Sequence, residues 1–448
     1  MKFRWTFFTV FFLVILILLL FFFEKMEERK KEEKLQAKKV FSFNKEKIDR
    51  ITIKTDKGTI SLSKEGNGLW NLIEPVNAKA DFEVVSGIVN KLDEIHFTKS
   101  FNVSPKELSV YGLLPPKAEV SFSEGKKYFS FTIGEETPSV NSVYIKKGNE
   151  NRILLVENRL PHIILRDVFE FRDKTVVKFD RKDASKLELI YPDKSFTVIK
   201  RDSQNWQMDK PIKVKAGTEE IDKVFDLLFS LRVLKFEGEK IADDKHYGFN
   251  KLLLKVLLDF NNKETMSLFF GENKDGIFVK LEPEEEVYAV NGEILDKLPK
   301  NSFDFRNKKL APFNRDEIKS LILSSKEKSI EIEKDLYDKW VITKPVKTKG
   351  NAIEIEILIN EILNLRMQEF VDNIPKSYSE IGLDPPEKEI ILNGRDKKPL
   401  VFIKIGKLNT NKYLCYATNN LENQIGMIDY TFVRDYLNFD LEKLKAKI

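Results

Sequence analysis

The sequence predicts an α+β fold made of three tandem repeats, each with a mainly antiparallel β-sheet and one main amphipathic helix, after one N-terminal transmembrane helix. Three observations lead to this prediction: a tryptophan motif that occurs three times, an apolar helical stripe that follows each motif, and a run of 19 residues without charge near the N terminus. The 448 residues provide about 135 residues for each repeat, an ordinary size for one domain.

The uncharged run, Trp5 to Phe23, predicts a retained signal anchor. Nineteen helical residues span roughly 28 Å, which is the thickness of a hydrocarbon core. A cleaved signal peptide is the alternative, but the run is longer than a typical apolar signal region. The residues after it, Glu24 to Lys30, contain no small-residue cleavage site. We therefore expect membrane lipid to contact residues 5–23.

The flanking charges leave the orientation of this anchor open. Lys2 and Arg4 precede it, whereas seven Lys and Arg residues mixed with five glutamates come after it. A count of positive charges favours a cytoplasmic body, but an anchor so close to the N terminus usually translocates the rest of the chain. We expect a single-pass protein of the plasma (inner) membrane with an extracytoplasmic body. Residues 24–40 are either a helical stalk of roughly 24 Å or a flexible charged linker.

The repeat is visible first in the motif W-x4-P, which begins at Trp70, Trp206 and Trp340. A good helix N-cap follows each motif at the same offset: Asp81, Gly217 and Asn351. The next residues are apolar at i, i+3, i+4, i+7 and i+10, which is one stripe of an amphipathic helix. The stripes are Val85, Ile88, Val89, Leu92 and Ile95; Ile221, Val224, Phe225, Leu228 and Leu231; and Ile355, Leu358, Ile359, Ile362 and Leu365.

A glycine turn and a set of strands complete each repeat. Gly112, Gly248 and Gly382 follow short helical stretches, and a glycine there predicts a C-terminal cap with positive φ. The predicted order is a β-hairpin, a strand with W-x4-P, the helix, the glycine turn, a four-stranded meander and a short helix. The predicted segments are an anchor at 1–23, a stalk at 24–40, and repeats at 41–175, 176–309 and 310–448.

Nothing that the three copies share predicts chemistry. The shared residues are apolar residues, Gly, Pro, Trp, caps and turns, and the phosphate-binding, hydrolase and metalloprotease motifs are absent. His96, His162 and His246 do not recur between copies, and the single cysteine, Cys415, lies in an apolar run that predicts a small buried side chain. We expect no catalytic, cofactor-binding or metal-ligating residue and no cofactor.

Two further predictions concern charge and aromatic residues. The 76 basic and 71 acidic residues are interleaved along the chain, which argues against a nucleic-acid-binding patch. The recurring Trp and the motif Phe-x-Phe-Arg at Phe169 and Phe303 have two interpretations. They are exposed aromatics that bind a partner or glycan, or core residues: Trp packs over the helix stripe, and Phe-x-Phe-Arg closes the domain onto the next. Their recurrence with the core periodicity favours the second. The third copy ends near Phe439 and Asp440.

These motifs together resemble the bacterial membrane-anchored domain-of-unknown-function family DUF 4340, in three tandem copies over residues 40–448. Tyr111 to Pro116 and Ile381 to Pro386 carry the resemblance best, whereas the second copy has Phe249 to Leu252 in place of the prolines. The resemblance implies a membrane-anchored, extracytoplasmic protein of a kind often encoded beside an ABC transporter linked to gliding motility. The family has no established catalytic residues, so none are transferred to this chain.

We therefore expect a non-enzymatic envelope protein that is an accessory or binding component of an ABC-type, gliding-motility-like membrane complex. Its domains would bind a protein, such as a transporter component, or an envelope polymer. One alternative is a structural spacer or adhesion module. A less favoured alternative is an envelope hydrolase, which a deep polar pocket in one copy only would support.

Overall fold

The computed structural model describes residues 2–66, 68–138, 141–202, 205–237, 245–282, 286–373, 377–422, 424–438 and 440–446. Within these residues it contains three nine-stranded antiparallel sheets, one in each repeat. The α+β class and the three repeats are therefore confirmed. The chain divides into two compact units, residues 1–174 with the first repeat and residues 175–448 with the second and third.

The N-terminal helix, α1, is Lys2–Gln36, so the charged segment continues the helix of the preceding run. After it, Val40 and Phe41 are buried in the core of the first repeat. In the described part of the chain, no helix is identified as long and apolar enough to cross a membrane.

The first repeat contains β1 to β9 and α2 to α4. Its strands are Ile48–Thr55, Gly58–Lys64, Trp70–Glu74, Ala78–Lys79, Lys99–Asn102, Ala118–Glu124, Lys127–Glu136, Ser142–Lys147 and Arg152–Glu157. Its helices are Phe82–Asp93, Arg159–Ile164 and Val168–Phe171, with 3₁₀ turns at Lys45–Lys47 and Pro105–Tyr111. The strand order in the sheet is β4-β3-β2-β1-β6-β7-β8-β9-β5.

The second repeat contains β10 to β18, α5 and α6. Its strands are Ala184–Ile190, Ser195–Lys200, Trp206–Lys210, Val214–Ala216, Val233–Phe236, Leu254–Phe260, Thr265–Asn273, Gly276–Glu282 and Val287–Val290. Its helices are Thr218–Ser230 and Glu293–Lys297, with 3₁₀ turns at Phe249–Lys251 and Ser302–Phe305. The strand order is β13-β12-β11-β10-β15-β16-β17-β18-β14, the same topology as in the first repeat.

The third repeat contains β19 to β27 and α7 to α9. Its strands are Ser320–Ser325, Ser329–Lys334, Trp340–Lys344, Thr348–Lys349, Glu369–Phe370, Lys388–Asn393, Pro399–Asn409, Leu414–Asn419 and Ile425–Asp429. Its helices are Ala352–Asn364, Tyr430–Tyr436 and Leu441–Leu444, with 3₁₀ turns at Arg315–Glu317 and Arg395–Lys397. The strand order is again the same, β22-β21-β20-β19-β24-β25-β26-β27-β23.

The long helix of each repeat connects the two edge strands of its sheet. In the first repeat α2 follows β4 at one edge and precedes β5 at the other, so it crosses the sheet and buries its whole apolar stripe. The stripes of α5 and α7 are buried in the same way, as predicted. Asp81 and Asn351 accept hydrogen bonds from backbone N–H groups in the first turn of their helices, which confirms them as N-caps. The prediction missed both edge strands, which have only two to four residues.

The C-terminal segment of each repeat closes its own domain. The backbone N–H of each helix N-cap donates to a carbonyl of that segment: Asp81 to Phe171, Gly217 to Phe305 and Asn351 to Leu444. Phe171, Phe305 and Leu444 are each buried in the core of their own repeat, so these residues are core residues as expected, but they close their own domain. The closing residue of the third copy is Leu444, a few residues beyond the expected end at Phe439 and Asp440; Phe439 lies outside the described residues.

The recurring tryptophans are core residues. Trp70, Trp206 and Trp340 are all buried, so the prediction that they pack over the helix is confirmed and the exposed-aromatic interpretation is wrong for them. The indole N–H of Trp340 donates to Glu356 Oε1 on α7 at 2.7 Å, which satisfies its one polar atom.

Candidate binding groove in the first repeat

A groove of about 600 Å³ opens at one end of the first repeat's sheet. Three turns surround it: the β1–β2 turn at residues 56–58, the turn at residues 112–117, and the segment 165–168 before α4. The apolar part of the lining includes the buried Ile53, the partly buried Ile60 and the exposed Pro115. We call this space the repeat-1 groove.

Two glycines hold the second of these turns against the sheet. Gly112 ends the 3₁₀ turn Pro105–Tyr111 with φ 64°, the positive value predicted from the sequence. A side chain on Gly134 of β7 would overlap the Tyr111 carbonyl oxygen, and one on Gly112 would overlap Glu135. The same close approach occurs at Gly271 and Gly406 in the other repeats. A glycine at this position of the strand is therefore required by backbone packing in all three repeats.

Charged side chains form the rim of the groove, and some of them make ion pairs. Lys117 Nζ lies 2.6 Å from Glu135 Oε2, and Arg166 Nη1 lies 3.7 Å from Glu170 Oε1. Asp167 and Glu170 form a capping box at the start of α4. The groove thus combines apolar residues with a rim of both charges.

In the second repeat a tyrosine occupies the equivalent space. Thr55 precedes Trp70 by 15 residues, and Tyr191 precedes Trp206 by the same number. The Tyr191 hydroxyl donates to the Pro299 carbonyl oxygen at 2.7 Å, so the ring bridges the strand end and the segment before the closing motif. Burial, followed by the charge of Asp304, raises the pKa of Tyr191 to about 12, which agrees with a ring enclosed by protein.

In the third repeat a lysine crosses the equivalent space. Lys388 Nζ donates to the Leu437 carbonyl oxygen, and burial lowers the pKa of this lysine. Ala118 and Leu254 stand at the same offset from their tryptophans in the first and second repeats, and both are buried. Thr55 lines the open groove of the first repeat, and Ala118 is its partner across the β1–β6 pair; both are small, whereas each of the other copies carries a larger side chain at one or both positions.

No residue of this groove was predicted as functional from the sequence. Comparison of the three copies identifies only residues that recur, so it misses a site that is present in a single copy. The signal was present as a contrast at two otherwise aligned positions, Thr55 against Tyr191 and Ala118 against Leu254 and Lys388. Only the structure shows that Thr55 lines a groove and that Ala118 is its partner across the β1–β6 pair.

The histidines and the cysteine lie away from the groove. His96 Nδ1 is 2.7 Å from the Glu94 carbonyl oxygen, His162 is exposed on α3, and the His246 ring packs against Tyr247. Among the described residues, no group of three or more His, Cys, Asp or Glu is placed to hold a metal ion. Cys415 is buried in the third core, as predicted, and burial raises the pKa of its thiol to about 11.

The residues that line the groove include no histidine and no cysteine. Their carboxylates belong to Asp56, Glu135 and Asp167, of which Glu135 is ion-paired and Asp167 caps a helix.

Comparison with solved structures gives several similar chains. They include a DNA polymerase sliding clamp from Pseudomonas aeruginosa, at 8% identity over 89% of this chain and 95% of that chain, with a TM-score of 0.17. The beta subunit of DNA polymerase III from Pseudomonas aeruginosa has 9% identity over 86% and 93% of the two chains and a TM-score of 0.16. TM-scores this low support no argument about fold or function.

Comparison with protein families gives a clear result, whereas no curated protein matches this chain significantly. The model of the domain of unknown function DUF4340 matches three times, at residues 70–252, 206–339 and 340–444. These matches begin at Trp70, Trp206 and Trp340, the tryptophans that define the repeats. Together they cover most of the chain, so this chain belongs to the DUF4340 family and carries its domain in three tandem copies.

Proposed function

We propose that this chain is a non-enzymatic, membrane-anchored envelope protein that acts as an accessory or binding component of an ABC-type membrane complex. The repeat-1 groove would hold a segment of a protein partner. One observation carries the proposal: three copies of one fold share a groove position that two of them fill with their own side chains and one leaves open. A space closed twice and open once is a feature of one repeat and not of the fold.

Support for the membrane anchor comes from the sequence and from exposure. Trp5 to Phe23 carries no charge. The apolar side chains from Leu16 to Phe23 on α1 are each between 47% and 64% exposed. A continuous apolar helix surface of this kind is stable when lipid or another protein covers it. We propose that the membrane covers it and that the body lies outside the cytoplasm.

The groove can be closed by introducing the side chain that occupies the equivalent space in the second repeat. Thr55→Tyr places a tyrosine where Tyr191 stands in the second repeat. Its hydroxyl should reach the carbonyl of Leu165. Leu165 precedes Phe171 by six residues, as Pro299 precedes Phe305. The matched control is Thr265→Tyr, the same change at an exposed threonine of β16. Both variants should keep the wild-type melting temperature to within a few degrees.

The test is co-purification from membranes in mild detergent, with transporter components quantified by mass spectrometry. Wild type and Thr265→Tyr should recover an ABC transporter component, and Thr55→Tyr should lose most of it. The proposed function fails if wild type recovers none. The assignment of the groove fails if Thr55→Tyr recovers as much as Thr265→Tyr.

One observation favours a second candidate, a structural spacer. The second and third repeats form one compact unit joined through the buried Arg306, as a stiff spacer requires. Deleting one repeat separates the two functions, because a spacer tolerates the deletion with a shorter reach and a specific binder that loses its groove does not. Protease accessibility of the body in intact spheroplasts tests the topology, and digestion only after lysis would place the body in the cytoplasm.

A further inference from the structure

The outer face of the first repeat's sheet, opposite α2, carries small hydroxyl side chains on four adjacent strands. Ser61, Thr52, Ser121 and Ser130 stand opposite one another on β2, β1, β6 and β7. Neighbouring strands lie about 4.8 Å apart, so the row is about 14 Å long. Short side chains make this row a shallow trough between longer ones. We call this surface the hydroxyl face.

A second row beside the first supplies a cation and an aromatic ring. Arg50 stands opposite Ser63 and Ser123, and Ser123 stands opposite Tyr128, whose side chain is 70% exposed. A bulge between Ile48 and Arg50 turns Asp49 toward this face, where its carboxylate accepts from Ser123 Oγ at 2.5 Å and from the Gly125 N–H at 3.0 Å. These residues line a depression of about 510 Å³.

Most of the polar groups on this face have no protein partner. Among the described residues, the hydroxyls of Thr52, Ser63 and Ser121 make no hydrogen bond, and the Arg50 guanidinium makes no ion pair. Each hydroxyl can donate one hydrogen bond and accept two, and the guanidinium has five N–H donors in a planar fork. The face therefore offers several donors and acceptors at defined positions.

The other two repeats provide an internal comparison. In the second repeat Lys186 takes the place of Arg50 and pairs with Glu188 at 3.0 Å and Asp259 at 3.6 Å. In the third, Ser320 takes that place and accepts from Asn393 Nδ2 at 2.8 Å. The position of Ser121 is Leu257 in one copy and Ile391 in the other. In both of these copies the side chain at the Arg50 position has a protein partner, whereas Arg50 of the first repeat makes no ion pair.

We propose that the hydroxyl face of the first repeat binds an acidic glycan chain. Sugar hydroxyls are donors and acceptors at once, which matches the row of Ser and Thr. A sugar carboxylate matches the unpaired Arg50 fork, since such pairs form two parallel hydrogen bonds. The exposed Tyr128 ring offers an apolar surface for the face of a sugar ring. The site is separate from the repeat-1 groove and takes a different class of ligand.

The experiment is isothermal titration calorimetry on the purified full chain in detergent micelles. The probes are an α-1,4-linked galacturonate hexamer, which carries carboxylates, and maltohexaose, which is neutral. We expect the galacturonate hexamer to bind and maltohexaose to bind at least about tenfold more weakly. A hydrogen bond to a charged group contributes enough free energy to change the affinity by about that factor. Arg50→Gln should weaken galacturonate binding about tenfold, and Tyr128→Ala and Ser121→Leu should also weaken it.

The matched control is Lys54→Gln, which removes one positive charge from the same strand and face outside the depression. It should change affinity less than about twofold. The proposal is overturned if the hexamer does not bind at millimolar concentration, if Arg50→Gln and Lys54→Gln have equal effects, or if a single-stranded DNA oligonucleotide binds as tightly as the hexamer. Thermal melts of every variant exclude unfolding as the cause.

Discussion

Replacing Arg306 with alanine should open the joint between the second and third repeats while leaving each repeat folded. Arg306 follows the closing Phe305 of the second repeat but makes its contacts with the third. Nη1 lies 2.5 Å from Asp372 Oδ1, Nε donates to Gln424 Oε1 at 2.7 Å, and the guanidinium lies 3.8 Å from the centroid of the Phe370 ring. The side chain is 3% exposed.

The size of the effect can be worked out from these contacts. A hydrogen bond to a charged group contributes about 1.5–3 kcal/mol, and a desolvated cation–π contact contributes up to about 2 kcal/mol. Asp372 is about half-exposed, so water can solvate it after the substitution. The cost therefore stays below the upper end of about 3–5 kcal/mol that breaking a fully buried pair costs. We expect Arg306→Ala to destabilise the joint by about 2–4 kcal/mol.

Native-state hydrogen exchange measures this directly on the full chain. The Leu310 N–H donates to the Leu365 carbonyl and the Met367 N–H donates to the Lys308 carbonyl, and both bonds lie at the joint. A loss of about 2–4 kcal/mol corresponds to roughly 30- to 1,000-fold faster exchange of these amides. Amides in the core strands of the first repeat should be unchanged.

Arg181 provides the control, because it makes the same kinds of contact in an exposed place. It pairs with Asp226 and lies 5.1 Å from the Phe229 ring centroid, but its side chain is 38% exposed. Arg181→Ala should cost less than about 1 kcal/mol. A double-mutant cycle of Arg306→Ala with Asp372→Asn should show coupling. Equal exchange rates in Arg306→Ala and wild type would refute the argument that burial sets the value of these contacts.

Three further predictions concern the repeats themselves. Gly134→Ala should lower the free energy of unfolding by about 2 kcal/mol or more, because its Cβ would overlap the Tyr111 carbonyl. Gly87→Ala in α2 should raise the free energy of unfolding by up to about 1 kcal/mol, because no atom lies near the added Cβ. Urea denaturation measures both variants. Asp81→Ala should cost about 1 kcal/mol in the same assay, since it removes the N-cap of α2, and no loss would contradict the cap. Burial raises the pKa of Cys415 from 9.0 to about 11, so the thiol of the unfolded chain ionises at lower pH than that of the folded chain. The wild-type chain should therefore lose stability from about pH 9 to 11, and Cys415→Ala should lack this loss. Parallel curves of stability against pH for the two proteins would contradict the prediction.

The repeats were predictable from the sequence because their signals are local. A stripe at helical spacing, an N-cap such as Asn351 and a turn glycine such as Gly382 each act within a few residues of chain, and all three are in the structure as predicted. The strands β4 and β22 were not predicted, since two residues are too few to show an alternating pattern. Their pairing depends on the neighbouring strand and not on their own composition.

The groove and the joint were not predictable from the same signals. Thr55 is far from residues 165–168 in the chain, and its small side chain becomes part of a groove only where the fold brings it beside them. In the sequence Arg306 does not differ from a surface arginine. In the fold it is buried in contact with Phe370, Asp372 and Gln424. The sequence by itself determined the uncharged N-terminal run, the three copies and the local conformation of each, because periodicity, capping and turn chemistry are properties of short segments. Only the tertiary structure decided which copy has an open groove, which polar face lacks internal partners and which arginine is buried, because those properties depend on residues distant in the chain that meet in the folded domain.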